Sequence, residues 1–430
     1  MFWDQASETL SRNELEQFQL RSLQETVQRV AQRVPLYRQR FAETGLKPED
    51  IRTLDDVRRL PFTTAADLRA SYPDGMLAVS REEPVRLHTS SGTTGKPKAL
   101  FFSKSDINNS AELIARSLVM TGITHRDVFQ NMMSYGLFTG GLIMHYGAEK
   151  AGCLVIPAGP GTSERQLMLM QDFGTTAVHI LPSYALYFAG YLEEHGIDPR
   201  KDLKLRKAFV GAEPHTEETR QKIEQLFGLD VYNSYGLTEM NGPGVAFECE
   251  HKAGLHLWED HFILEIINPQ TGEPLPEGET GEMVLTTLRR EAMPILRYRT
   301  RDITSIISEP CKCGRTHRRL RRITGRSDDM LIVRGVNIFP QQIERVLMST
   351  AGIGRNYVIL LEGLDDMTVR VELAQAGFDG QVEHLVDLRN NLIERLRAEI
   401  QVRPAVELLP PGGLPVAEGK AKRVIDKRSL

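Results

Sequence analysis

Apolar and polar positions alternate along the chain with two different periods, and each period predicts a type of element. From Asn13 to Val34 the apolar residues recur at helical spacing, and Pro35 ends the pattern, which predicts an N-terminal helix. Farther along, short apolar runs are separated by amphipathic stretches such as 217–227. These runs are 177–181, 207–210 and 230–232. Their alternation with helical segments favours parallel βαβ units.

The pattern changes in the second half of the chain. Two apolar runs, 262–267 and 281–285, flank the turn-like segment 268–272 and predict an antiparallel hairpin. A small α+β unit is expected after Arg326. Its predicted elements are a strand at 330–333, a helix at 340–348, strands at 356–361 and 368–373, and a helix at 386–400. The chain is therefore expected to be an α/β protein with a large domain at 1–327 and a small domain at 328–430.

Composition narrows the class of protein. A chain of 430 residues with 41% apolar content is long enough for two or three domains with buried cores. The 53 basic and 57 acidic residues give a net charge of −4, which argues against a nucleic-acid partner. The N-terminus does not resemble a signal peptide, and no apolar run approaches the roughly 20 residues of a membrane span. A soluble cytoplasmic enzyme without a membrane partner is expected.

The segment 90–98 has the composition of a phosphate-binding loop. It contains Ser90, Ser91, Gly92, Thr93, Thr94, Gly95, Lys96, Pro97 and Lys98. Its glycines allow the backbone to approach an anion, and its hydroxyl and ammonium groups supply donors. The loop is not a Walker A motif, because only two residues separate Gly92 from Gly95 and proline follows Lys96. The alternative is an ordinary polar surface loop.

Three further motifs follow this loop, at 233–239, 298–302 and 325–329. In this order, the four motifs resemble the signatures of the adenylate-forming enzymes, which include acyl-CoA synthetases. The segments 135–141, 294–299 and 334–340 are most similar to phenylacetate–CoA ligases. The resemblance covers nearly the whole chain. It implies the adenylate-forming fold, with the small C-terminal domain swinging about a hinge at Asp328.

The resemblance also implies a nucleotide site. The residues expected to bind ATP are Ser90 to Lys96, Gly211, Ala212, Glu213, Pro214, Asn233, Ser234, Tyr235, Gly236, Thr238, Asp302 and Arg326. Tyr235 would stack on the purine, and Asp302 would accept hydrogen bonds from the ribose, reinforced by Arg326. A structural ion pair of Asp302 with a nearby arginine is the alternative.

Thr238 and Glu239 offer a hydroxyl and a carboxylate, which are oxygen ligands suited to Mg²⁺ on phosphates. As a pair they would equally suit a helix cap. Lys420 resembles the C-terminal lysine of adenylate-forming enzymes, which bridges the substrate carboxylate and the α-phosphate. By composition alone Lys420 lies in a solvated basic tail, and Lys422 is the competing candidate.

The chain has four cysteines, too few for a secreted disulfide scaffold of this length. Cys311 and Cys313 lie on a tight turn, and Cys249 and His256 precede them by about sixty residues. Three thiolates and an imidazole make a complete tetrahedral zinc set, which predicts a structural zinc site. His251 is the alternative fourth ligand, and reduced cysteines near a loop are the alternative to a metal.

The resemblance predicts an ATP-dependent ligase that joins an aromatic, phenylacetate-like acid to CoA through an acyl adenylate. The expected acyl pocket comprises Tyr135, Phe138, Gly211, Ala212, Leu237 and Pro243. Met133 stands where many relatives have a tyrosine, so the acid itself is left open. The rival functions are an adenylyltransferase similar to deazaflavin-coenzyme adenylating enzymes and a non-catalytic nucleotide-binding protein. Oligomeric state is also left open, with a homodimer as one assembly.

Overall fold

The computed structural model describes residues 1–90, 97–363, 366–374, 382–415 and 421–428. The α-helices are α1 Gln5–Glu8, α2 Arg12–Arg33, α3 Pro35–Thr44, α4 Ala65–Ala70, α5 Lys104–Val119, α6 Thr139–Lys150, α7 Ser163–Phe173, α8 Pro182–Glu194, α9 Pro199–Asp202, α10 Glu217–Phe227, α11 Pro340–Met348 and α12 Val382–Ile400. Short 3-10 helices span Pro48–Asp50, Leu54–Arg59 and Thr238–Met240. Within the described residues, the helices are all too short or too polar to cross a bilayer.

The strands of the first two thirds of the chain are β1 Arg86–Thr89, β2 Ala99–Phe102, β3 Val128–Asn131, β4 Leu154–Ile156, β5 Ala177–Ile180, β6 Lys207–Gly211, β7 Asp230–Leu237, β8 Gly242–Glu248, β9 Leu255–Leu257, β10 Phe262–Ile267 and β11 Gly281–Thr287. Those of the last third are β12 Tyr298–Thr304, β13 Ile306–Ile307, β14 Arg319–Leu320, β15 Gly325–Arg326, β16 Leu331–Val333, β17 Val336–Ile338, β18 Ile353–Gly363, β19 Asp366–Leu373, β20 Ala405–Leu409 and β21 Val424–Asp426.

The chain divides into two compact units. Unit 1 comprises Met1–Gly161, Thr175–His179 and Tyr232–Ile323, and unit 2 comprises Thr162–Gly174, Ile180–Val231 and Thr324–Leu430. The segment after the predicted boundary at residue 328 therefore belongs to the same compact unit as α7 to α10. The division into domains at 1–327 and 328–430 stays a prediction.

Unit 1 contains both parallel and antiparallel pairing. Strand β3 pairs in parallel with β4 and β5, as the alternation of strands and helices predicts. Strands β7, β8, β9, β14 and β13 pair successively as antiparallel neighbours. A second antiparallel arrangement joins β10, β11 and β12, with Leu264 opposite Leu285. Every residue of β10 and β11 is buried, so the predicted hairpin is confirmed as part of the core.

Helix α2 shows how local sequence sets the bounds of an element in unit 1. Ser11 accepts a hydrogen bond from the Glu14 N–H, and the Glu14 carboxylate accepts from the Ser11 N–H at 3.0 Å, which together form a capping box. The apolar stripe that includes Leu15 and Leu23 is fully buried. At the other end, Pro35 lacks an N–H and instead begins α3 as its first residue. The predicted N-terminal helix is confirmed.

Unit 2 contains the small α+β structure predicted for the C-terminal region. Antiparallel β18 and β19 lie at the centre of a four-stranded sheet, with β21 parallel to β18 and β20 parallel to β19. Helices α11 and α12 pack on each other, and α12 begins at Val382, four residues before its predicted start. The early start places the acidic Glu383 in the first turn, where it complements the helix dipole. Strand β21 is an addition to the sequence prediction, which assigned this segment to a solvated tail.

Candidate active site

A buried ion pair lies where three of the predicted motifs meet in unit 1. The Lys98 ammonium group contacts the Glu239 carboxylate, and the Tyr298 hydroxyl donates to the same carboxylate oxygen, Oε1, at 2.7 Å. The side chains of Lys98 and Glu239 are only 14% and 6% exposed. Lys98 ends the phosphate-type loop and Tyr298 opens the 298–302 motif, so the fold joins three motifs that are far apart in sequence.

The environment of Glu239 favours its ionised form. Burial opposes ionisation of the carboxyl group, but the charge of Lys98 and the hydrogen bonds from Lys98 and Tyr298 outweigh burial, so the pKa of Glu239 lies below its ordinary value. Glu239 is therefore a carboxylate at neutral pH. A buried, ionised carboxylate can bind a cation. The ammonium group beside it can leave the carboxylate and pair with an anionic ligand.

Arg290 supports this cluster, although sequence reasoning gave no sign of it. Its guanidinium group donates to the backbone carbonyl of Glu239 at 3.0 Å and to Asn241 Oδ1 at 2.8 Å. It also lies over the ring of Phe102, 4.4 Å from the centroid. Complete burial lowers the pKa of Arg290 to about 10, which still leaves it charged at neutral pH. Asn241, which has a positive φ of 70°, is thereby held in the turn that follows Glu239.

The turn from β7 to β8 depends on a close backbone approach at Gly236. A Cβ atom at this position would lie 2.3 Å from the carbonyl oxygen of Gly242 and 2.5 Å from the Cα atom of Pro243. Glycine is thus required in the 233–239 motif for packing, in addition to any role toward a ligand. Thr238 follows this approach, and its hydroxyl oxygen lies 3.3 Å from that of Thr139 at the start of α6.

Tyr235 and Asp302 are brought together in unit 1. The Tyr235 hydroxyl donates to Asp302 Oδ2 at 2.5 Å, and the Asp302 N–H donates to the Thr300 hydroxyl at 3.1 Å. Asn233 and Ser234, which precede Tyr235 on β7, are buried. The Asn233 N–H donates to the Glu248 carboxylate at 2.8 Å. The predicted base-stacking and ribose-binding residues therefore form one hydrogen-bonded group.

In unit 2, the Glu213 carboxylate collects several donors. It accepts from the backbone N–H and the hydroxyl of Ser183, at 3.1 and 2.9 Å, and from the N–H of Ala421 at 2.7 Å. Ala421 directly follows Lys420 in the sequence. Glu213 therefore fixes the chain next to the predicted catalytic lysine, although Lys420 itself, like Ser91 to Lys96, lies outside the described residues.

Unit 2 also contains the predicted adenine-binding turn at Ala212 and the predicted hinge residue Asp328. Ala212, between Gly211 and Glu213, has a positive φ of 64°, which is unfavourable for alanine and typical of functional turns. Arg326 donates to the Asp328 carboxylate at 3.0 and 3.2 Å, and both side chains are partly solvent-exposed. The arginine expected at the ribose thus binds the residue expected at the hinge.

The candidates for the acyl pocket lie in both units. Tyr135 is half-buried and Phe138 is exposed just before α6, while Leu237 and Pro243 lie on paired strands of unit 1. Gly211 and Ala212 belong to unit 2.

The predicted zinc ligands converge in unit 1. The ligand atoms of Cys249, His256, Cys311 and Cys313 all lie within 4.8 Å of one another. Cys249 Sγ is 3.7 Å from Cys311 Sγ, and Cys313 Sγ is 3.3 Å from His256 Nε2. In a tetrahedral site with Zn–S bonds of about 2.3 Å, neighbouring sulfurs lie about 3.8 Å apart. Of the two histidines considered, His256 is the one that joins the cysteines.

Known proteins resemble this chain over nearly its whole length. Profiles of the AMP-binding enzyme family and of the AMP-binding enzyme C-terminal domain match residues 9–288 and 335–428. The phenylacetate-coenzyme A ligase of Pseudomonas putida is 46% identical over 98% of this chain and 96% of its own length. That of Thermus thermophilus is 44% identical over the full length of both chains. The chain belongs to the phenylacetate-coenzyme A ligase family of AMP-binding enzymes.

A solved structure supports the same assignment. The 2-hydroxyisobutyryl-CoA ligase, in its postadenylation state in complex with R3-HIB-AMP, matches with a TM-score of 0.94 at 28% identity, over 99% of this chain and 92% of that one. The predicted family and the α/β adenylate-forming fold are confirmed. The predicted enzyme class, an AMP-forming acid–CoA ligase, is confirmed with them.

Proposed function

We propose that this chain joins an aromatic, phenylacetate-like carboxylic acid to CoA through an acyl adenylate, releasing AMP and pyrophosphate. Full-length identity to phenylacetate-coenzyme A ligases supports this class of acid. Within the chain, the observation that carries the proposal is the buried cluster of Lys98, Glu239 and Tyr298. A buried ion pair adds little to stability compared with apolar packing, so its place at the end of a phosphate-type loop favours a role toward ligands.

In the first half-reaction, an oxygen of the substrate carboxylate attacks the α-phosphorus of ATP, and the bond to pyrophosphate breaks. The loop from Ser90 to Lys98 would hold the leaving pyrophosphate. Lys420 would stabilise the negative charge that builds up on the α-phosphate. The reacting groups come from the ligands, so the protein supplies positioning and charge rather than a covalent nucleophile.

Glu239, together with Thr238, would hold Mg²⁺. Lys98 and Tyr298 both bind Oε1 of the Glu239 carboxylate, which places this buried group beside the end of the phosphate-type loop. A carboxylate that is ionised at neutral pH fits this role. When bound, the ion supplies charge neutralisation on the phosphates.

The nucleoside would be bound by residues from several segments. Asp302, which accepts the Tyr235 hydroxyl, would also accept from the ribose, and Tyr235 would present its ring to the purine. The backbone of Gly211 to Pro214 would contact the adenine. In the second half-reaction, the CoA thiolate attacks the acyl carbon and AMP leaves. Asp328 would be the hinge between the two half-reactions.

A panel of acids tests the proposal. Purified protein is incubated with ATP, Mg²⁺ and phenylacetate, hydroxyphenylacetates, benzoate or hexanoate, and pyrophosphate, AMP and thioester are measured with and without CoA. We expect pyrophosphate release with arylacetates, and AMP and thioester in equal amounts only when CoA is added. Pyrophosphate release without any thioester would instead support the adenylyltransferase. No release with any acid would support a non-catalytic protein.

We also propose a structural zinc ion on Cys249, His256, Cys311 and Cys313. The Cys249–Cys311 separation of 3.7 Å and the Cys313–His256 separation of 3.3 Å support it, because both are close to the edge lengths of a zinc tetrahedron. With four protein ligands, no position remains open for catalysis. The ion would fix the loop that carries Cys311 and Cys313 to the β8–β9 hairpin.

Metal analysis tests the zinc site, with Cys153 as a matched control. Cys153 is buried elsewhere in unit 1, with its Sγ 3.6 Å from the Thr124 carbonyl oxygen. Wild type and Cys153→Ser should contain about one equivalent of zinc after chelator washing, and Cys313→Ser less than about a tenth. A wild-type content below a tenth of an equivalent would contradict the proposal.

Cytoplasmic location and a homodimer complete the proposal. Light scattering on a sizing column measures the mass of the assembly, and a mass of one chain would rule out the dimer. Cell fractionation tests the location.

A further inference from the structure

The Tyr135 hydroxyl is the centre of a hydrogen-bonded array of side chains in unit 1. Asn131 Nδ2 lies 2.9 Å from the Tyr135 oxygen, and His145 Nδ1 lies 3.1 Å from it. His145 Nε2 is in turn 3.0 Å from the Glu149 carboxylate. His179 Nδ1 is 3.1 Å from Asn131 Oδ1 and extends the array inward.

Backbone groups fix the orientation of the Asn131 amide. The Met133 N–H can only donate, and it faces Asn131 Oδ1 at 3.3 Å. The Gly141 carbonyl can only accept, and it lies 2.8 Å from Asn131 Nδ2. The second N–H of Nδ2 therefore points at Tyr135, whose oxygen must accept it. His179 agrees with this orientation, because burial lowers its pKa to about 3 and the neutral ring donates through Nδ1.

His145 then determines where the Tyr135 proton goes. The Glu149 carboxylate can only accept, so in the neutral imidazole the proton is on Nε2 and Nδ1 keeps a lone pair. The Tyr135 O–H donates to that lone pair. Burial raises the pKa of Tyr135 to about 12, so the proton stays on the phenol. With its only proton used and one acceptor position filled by Asn131, the Tyr135 oxygen presents a lone pair to its remaining surroundings.

We propose that His145, held by Glu149, is a positioning residue that makes Tyr135 a hydrogen-bond acceptor toward the acyl group and so favours arylacetic acids with a hydrogen-bond donor on the ring. The inference rests on the proposed function, in which Tyr135 lines the acyl pocket. Its segment is next to the candidate site, because Thr139 contacts Thr238 at 3.3 Å between their hydroxyl oxygens. A neutral hydrogen bond of this kind changes selectivity about three- to tenfold.

The test compares phenylacetate with 2-, 3- and 4-aminophenylacetate, whose amino group is a donor and a poor acceptor. The measured quantity is the ratio of kcat/KM for the best aminophenylacetate to that for phenylacetate. We expect this ratio to fall about three- to tenfold in His145→Phe, because the released Tyr135 proton then faces the amino group. His145→Gln, which can present an acceptor oxygen, should restore most of the ratio. His145→Leu repeats the test should the Phe variant fold poorly.

A double-mutant cycle separates this role from general packing. In the Tyr135→Phe background the hydroxyl is absent, so adding His145→Phe should leave the ratio unchanged. A ratio that falls equally in both backgrounds would overturn the inference, as would equal losses for all four acids in His145→Phe. A wild type that activates phenylacetate without favouring any amino derivative would overturn the inference and leave the proposed function intact. A wild type that activates no arylacetate would overturn both.

Discussion

Replacing Lys98 by methionine should destabilise unit 1 in a way that depends on pH. The variant keeps a chain of similar length but leaves the Glu239 carboxylate buried, with the Tyr298 hydroxyl and no positive partner from Lys98. Removing one partner of a buried ion pair costs about 3–5 kcal/mol, because the remaining charge is uncompensated. At about 2–4 °C per kcal/mol, the unfolding midpoint at pH 7 should fall by at least about 6 °C.

The pH dependence follows from the direction of the Glu239 pKa. In the wild type this pKa lies below its ordinary value of 4.5, so the stability from the ion pair is present above pH 4.5 and is lost as pH falls through the lowered pKa. In Lys98→Met burial acts unopposed by the lysine and should raise the pKa of Glu239 above 4.5. As pH rises, Glu239 then ionises in the unfolded chain before it ionises in the folded one. The free energy of unfolding of the variant therefore falls by about 1.4 kcal/mol per pH unit between pH 4.5 and the raised pKa. The difference in the free energy of unfolding between wild type and Lys98→Met should therefore increase from pH 4.5 to pH 7.

Tryptophan fluorescence during thermal unfolding measures the midpoint of unit 1, and during urea unfolding it measures the unfolding free energy of unit 1. The two tryptophans of the chain, Trp3 and the fully buried Trp258, both belong to unit 1, as do Lys98 and Glu239. The double variant Lys98→Met with Glu239→Gln is the control, because a neutral amide leaves no unpaired charge and should recover most of the loss. Equal destabilisation at pH 5 and pH 8, or a double variant as unstable as the single one, would refute the reasoning.

Further predictions concern the half-reactions, measured as pyrophosphate release and as thioester formation from supplied acyl adenylate. Glu213→Ala, which removes the acceptor of the Ala421 N–H, should slow pyrophosphate release at least about tenfold and spare the thioester step; equal effects on both would argue against a positioning role. Lys420→Ala should slow pyrophosphate release about 10²–10³-fold, whereas Lys422→Ala should not, and the reverse result would reassign the lysine. Asp328→Pro fixes φ and removes an N–H, so one half-reaction should fall far more than the other; an equal loss in a folded protein would mean that Asp328 is not a hinge.

The sequence alone determined those helices and strands that are specified by residues close to one another in the chain. The predicted bounds of α10 and α11 agree with the structure, because an amphipathic period and the proline that begins α11 act within one or two turns. The order of the four motifs identified the family before any contact was known. The spacing of cysteines and histidines limited the ligands of the proposed zinc site to a few candidates.

Other features were decided only by the tertiary structure. The Lys98–Glu239 pair joins residues 141 positions apart, and the choice of His256 over His251 depends on β9 pairing with β8. Arg290 has no local signature, since its partners come from turns that folding brings to it. Strand β21 has only three residues, too few to be recognised by periodicity, and it forms because the edge of β18 offers it backbone partners. Hydrophobic period is a local property of a sequence, whereas the partner of a buried polar group depends on which distant segments cross, and that is fixed only when the core packs.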